Sequence, residues 1–120
     1  MKKAFLLGSA ISLSALLLGG CRSAFVSTTI TNHGQGQVSL IEVDYPSASF
    51  GTGSLPPATA FHYRFKIQGS GPVTMQFTDA QGKTHSVTGP ELQEGEQGTL
   101  EIGIDGSGNI SWIPNLKKIR

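Results

Sequence analysis

Ala60-Phe61-His62-Tyr63-Arg64-Phe65-Lys66-Ile67 alternates apolar and polar side chains without a break. Phe61, Tyr63, Phe65 and Ile67 point one way and His62, Arg64 and Lys66 the other. That is the period of an antiparallel strand with one buried and one wet face.

The same alternation recurs on both sides of it. Residues 25–32 are rich in Thr, Val and Ile, and 38–45 put Ile41, Val43 and Tyr45 on one face against Glu42 and Asp44 on the other. Val73, Met75 and Phe77 alternate with Thr74, Gln76 and Thr78, and residues 84–88 return after Asp79-Ala80-Gln81-Gly82-Lys83, a hairpin connection whose Gly82 suits positive φ. Residues 99–105 turn Leu100, Ile102 and Ile104 inward, and 110–113 carry the sole tryptophan, Trp112. Two stretches read as loops. Residues 46–59 contain Pro56-Pro57 and are strand-poor, with Phe50 and Leu55 pinning them to the domain; Gly89-Pro90 opens a second loop bearing Glu91, Glu94 and Glu96.

About seven short strands, with turn signals every 8–12 residues or so, predict an all-β antiparallel sandwich of immunoglobulin- or fibronectin-like type. A small closed barrel is the alternative. No Cys-Trp-Cys framework exists, because the chain has one cysteine.

That cysteine ends an N-terminal stretch of a different kind. Lys2 and Lys3 precede an apolar run of about 15 residues, broken by Ser9, Ser12 and Ser14 and closing in Leu18-Gly19-Gly20-Cys21. The run is short for a membrane span, which needs roughly 20 residues, and has the layout of a secretory signal. Leu18-Gly19-Gly20-Cys21 resembles the lipobox of bacterial lipoproteins. The resemblance implies cleavage before Cys21, a diacylglyceryl thioether and fatty acid such as palmitate on Cys21, and a mature domain tethered to the membrane without a helix across it. Arg22, where Asp would favour inner-membrane retention, implies the outer membrane facing the periplasm. The mature chain is also similar in general run to small β-sandwich lipoproteins of bacteria, a likeness that carries no functional residue with it.

The expected organisation is a signal peptide at 1–20, a lipidated tether at 21–24, a β-sandwich at 25–113 and a basic tail at 114–120 with Lys117, Lys118 and Arg120. Once Lys2 and Lys3 leave with the signal, seven basic residues face eight acidic ones, a net charge of −1 with histidine neutral. So balanced a domain lacks the electrostatic footprint of a nucleic-acid binder.

Catalytic constellations are weak. Acylation would occupy Cys21, no Gly-x-Ser-x-Gly elbow occurs, and Gly69-Ser70-Gly71 and Gly106-Ser107-Gly108 read as turns. His33, His62 and His85 lack ligand-like spacing, so no metal site is expected, and Asp105-Gly106-Ser107-Gly108-Asn109 lacks the pattern of a calcium loop. No cofactor is expected beyond the lipid. The reading is therefore a non-enzymatic envelope module that binds a protein partner or supports envelope structure, with Trp112, Phe50, His62 and His85 as its candidate surface. A glycan- or metal-binding lipoprotein is the alternative, resting on Trp112 beside Phe50 and on the three histidines.

Overall fold

A computed structural model describes residues 24–119. The signal peptide, Leu18, Gly19, Gly20 and Cys21 of the lipobox, Arg22 and the terminal Arg120 lie outside the described residues.

Eight strands follow one another with no helix among the described residues: β1 (Val26–Asn32), β2 (Val38–Tyr45), β3 (Ala48–Leu55), β4 (Ala60–Phe65), β5 (Gly71–Thr78), β6 (Thr84–Leu92), β7 (Glu96–Ile104) and β8 (Ile110–Lys118). They form two four-stranded sheets, ordered β4-β1-β7-β8 and β3-β2-β5-β6. All pairings are antiparallel except β1 with β7. No ladder joins β3 to β4 or β6 to β8, so the architecture is an open sandwich and the closed-barrel alternative falls.

Alternation explains which faces meet. Val26 and Ile30 of β1, Leu100, Ile102 and Ile104 of β7, and Val73, Met75 and Phe77 of β5 are all buried between the sheets. Thr28 is buried in the same row, and its hydroxyl donates to the Leu100 carbonyl at 2.8 Å, so the polar group enters the core with a partner. In β2 the buried residues Val38, Ile41 and Val43 are out of phase. The pairing of β2 with β5 shifts between Ser39 and Glu42, and Leu40 takes a left-handed φ of 52° there. One extra residue thus restores the inward phase, at the strain a non-glycine side chain suffers in that conformation.

Three sequence expectations change. Residues 46–59 are not a strand-poor loop, because Ala48–Leu55 form β3 after a two-residue turn, Pro46-Ser47. The sequence hid this strand: its β propensity is diluted by Gly51 and Gly53, and it is fixed instead by burial of Phe50 and Leu55 opposite Val43 and Val38. Gly51 is needed at that point, since a Cβ there would run into the Ile41 carbonyl beside the bulge. Gly89-Pro90 likewise continues β6 to Leu92 instead of opening a loop, and proline is tolerated because β6 is an edge. Finally, the strand beginning at Ile110 does not stop at Ile113. It passes Pro114, again on an edge, and brings Lys117 and Lys118 into register with Gln97 and Glu96.

Strand direction gives the sandwich two poles. Val26, Phe65, Gly98 and Leu116 lie across one sheet at the first pole, and Tyr45 of the second sheet joins them there, 4.2 Å from the Phe65 ring. The β1–β2, β5–β6 and β7–β8 connections gather at the other. The first residues of β1 and the last of β8 therefore share a pole.

Candidate functional site

Three regions hold the side chains singled out from the sequence.

The first is the lateral opening between β3 and β4, the edge strands of opposite sheets. Phe50 of β3 is buried, and Tyr63 of β4 stacks flat on it with ring centroids 4.2 Å apart. Phe61, Phe65 and Tyr45 complete an aromatic row around Phe50, with centroid distances from Phe50 of 6.4, 5.7 and 6.2 Å. Burial among these rings pushes the Tyr45 hydroxyl pKa up, with a smaller contribution from Tyr63. Tyr63 keeps 40% of its surface exposed, so the row ends in a ring available from outside. On the opposite face of β4, His62 Nδ1 lies 3.1 Å from the Thr29 hydroxyl, and the Arg64 guanidinium covers the Phe25 ring at 4.2 Å.

The second is the other lateral edge, where β8 faces β6. Trp112 is half-buried against the core, and its ring occupies the space a side chain at position 89 would need: a Cβ on Gly89 would come within 2.7 Å of it. Trp112 and Phe50 are thus at opposite sides of the sandwich. The stacking platform expected from that pair is not assembled.

The third is an open cleft of about 370 Å³ at the pole formed by the three loops. Asn32 organises it. Its amide nitrogen donates to the carbonyls of Gly36 and Leu55, both at 2.9 Å, and its side-chain oxygen accepts from the Gly34 N–H at 2.9 Å. Its backbone pairs with Ala58 and Thr59. Around the cleft, Asp79 accepts the Gln81 and Lys83 backbone N–H groups, and its other oxygen lies 2.8 Å from His85 Nε2, whose N–H donates to it. The His85 bond, with the Lys83 N–H next, holds the Asp79 pKa below its ordinary value. His85 also stacks on Phe77 at 4.7 Å. Asp105 closes its own turn by accepting from Ser107 and Asn109, each at 2.9 Å, and the Asn109 and Ser107 N–H groups depress its pKa as well. The Asp105 segment is a turn stabilised by its own carboxylate, as its sequence implies.

His33 lies beside Gly103 and Ser111, His62 on the outer face of β4 against Thr29, and His85 at Asp79. Among the described residues no group of three or more His, Cys, Asp or Glu side chains is placed to hold a metal ion. The acidic stretch is tied into the structure: Glu94 accepts the Gly69 N–H at 3.0 Å and Glu96 the Gln93 N–H at 2.7 Å.

Sequence reasoning missed the Phe50–Tyr63 stack because it placed Phe50 in a loop. Residues 48–55 offered no signal to correct this, since Gly51 and Gly53 interrupt any alternation and Pro46-Ser47 is not a two-residue hairpin pair.

No family model, curated protein or solved structure matches this chain.

Proposed function

We propose that the chain is a lipid-anchored envelope module that binds a protein partner and has no catalytic role. The observation that carries this reading is the shared pole of Val26 and Lys118, the opening of β1 and the close of β8. Cys21 precedes Val26 by five residues, a reach of at most about 18 Å. An acylated Cys21 therefore holds this pole against the membrane, with Lys117 and Lys118 at headgroup level. Each basic residue near an anionic surface contributes about 1 kcal/mol. The domain then stands with its strands away from the bilayer, and the loop cleft and lateral edges face the envelope space. Arg22 after the acylated cysteine favours the outer membrane over the inner.

Metabolic labelling with a palmitate analogue, followed by membrane flotation, tests the anchor. Label on the wild-type chain, co-floating with outer-membrane vesicles and abolished by Cys21→Ser, is the expected result. An unlabelled chain that stays with the soluble fraction would remove the reading.

A further inference from the structure

We propose that the free edge of β3 is a strand-addition site for an extended partner segment that is basic on one face and aromatic or aliphatic on the other. The inference rests on the partner-binding reading above and names the surface and the chemistry of its ligand.

Each sandwich sheet has two edges, and the four edge strands differ in how they meet an incoming strand. β4 is short and carries His62 and Arg64; β6 contains Pro90; β8 contains Pro114, Lys117 and Lys118. Charge, proline and short length are devices that discourage pairing at an edge. β3 has eight residues, Ala48-Ser49-Phe50-Gly51-Thr52-Gly53-Ser54-Leu55, with neither a charge nor a proline. Among the described residues no strand pairs with its outer backbone groups.

The surfaces on either side of that edge set the ligand. On the sandwich side, the 40%-exposed Tyr63 ring extends the aromatic row past Phe50, and inward side chains of an added strand would cover it. On the outer side, Glu42 and Asp44 of β2 lie opposite Gly51 and Ser49, so β3 places only small groups between these carboxylates and its free edge. The two acids crowd each other: a hydrogen bond to Asp44, and then its charge, hold the Glu42 pKa above the ordinary value. Among the described residues no lysine or arginine lies within ion-pair distance of either. Lys or Arg on the outer face of an added strand would relieve this repulsion across the glycines.

The test uses the full chain in detergent micelles, with a benzoylphenylalanine crosslinker at Gly53, where an added side chain meets nothing within 4 Å. The probe is a fluorescein-labelled decapeptide alternating Lys with Val or Phe, together with two versions N-methylated at every second amide, one in each phase. Saturable binding, crosslinking to position 53 and at least tenfold weakening by one methylated phase are the expected results. Glu42→Gln with Asp44→Asn, and separately Gly53→Lys, should each weaken the parent peptide at least fivefold, with thermal melts showing both variants folded. Binding that neither methylated phase weakens would be charge attraction alone and would overturn the proposal. So would crosslinks between two copies of the chain without peptide, which would assign the edge to a second copy. Peptide binding is read without a membrane, so its failure is distinct from a failure of Cys21 acylation.

Discussion

The rings of Phe50 and Tyr63 lie nearly parallel, 11° apart, and join an edge strand of one sheet to an edge strand of the other. No backbone ladder closes that side of the sandwich, so the aromatic row does so, with Phe50 buried and Tyr63 partly in solvent.

Phe50→Ala removes the buried half of this contact. Truncations of buried phenylalanine cost about 3–5 kcal/mol, and a loss near the lower end is expected because Phe50 is at the margin of the core. Tyr63→Ala should cost only about 1 kcal/mol, the order of an aromatic pair at a half-exposed site. Urea denaturation of the two variants checks the ranking.

Asn32 fastens the β1–β2 loop to the end of β3 with every side-chain donor and acceptor engaged. Asn32→Ala strands the buried Leu55 carbonyl, at a cost of about 1–3 kcal/mol, and frees the part-buried Gly36 carbonyl to water at the open cleft. Asn32→Asp keeps the Gly34 bond but sets a carboxylate against two carbonyls. It should therefore be less stable than wild type at neutral pH and recover part of the loss as the pH falls and the carboxyl takes up a proton. Melts of both variants at pH 7 and pH 4 measure this.

Gly89→Ala drives a methyl group into the Trp112 ring. Overpacking of this kind costs about 1–3 kcal/mol. Because Trp112 is the sole tryptophan, its emission reports the displacement directly. A red shift together with a lower Tm is expected, whereas Gly53→Ala, in open space, should change neither.

Acid lability should come from two turn carboxylates. Asp79, bonded to His85 and the Lys83 N–H, and Asp105, bonded to the Asn109 and Ser107 N–H groups, both titrate below the ordinary value of 3.8 when folded. A depressed carboxyl pKa stabilises the fold above the unfolded value, and the contribution disappears as the pH drops through the folded one. Stability should thus fall below about pH 4. Asp79→Asn and Asp105→Asn should flatten that fall, which urea titrations between pH 6 and pH 2 would detect. Glu42 has the opposite sign: its raised pKa means that protonation relieves repulsion by Asp44, so Glu42→Gln should be no less stable than wild type at neutral pH.

The all-β sandwich was legible because seven of the eight strands carry period-2 alternation or β-branched runs, most plainly Phe61-His62-Tyr63-Arg64-Phe65 and Val73-Thr74-Met75-Gln76-Phe77. β3 was not legible, since Gly51 and Gly53 erase its propensity and its place is set by burial of Phe50 and Leu55 opposite Val43 and Val38 of a neighbouring strand. The ends of β6 and β8 were hidden by Pro90 and Pro114, which break a central strand but are harmless on an edge. Edge or centre is decided by sheet order, a tertiary property. For the same reason the pairing of Trp112 with Phe50 failed: both are aromatic and near loops in sequence, but the sheet orders send them to opposite sides.

On the proposed function, this domain meets a protein partner while anchored through Cys21. In-cell photocrosslinking from position 53, in the wild-type background and in Cys21→Ser, tests that proposal. One recurrent envelope protein, captured through a segment with alternating basic and apolar residues and lost in the Cys21→Ser chain, is the expected result. Capture of lipid and abundant bystanders alone, unchanged by Cys21→Ser, would contradict it.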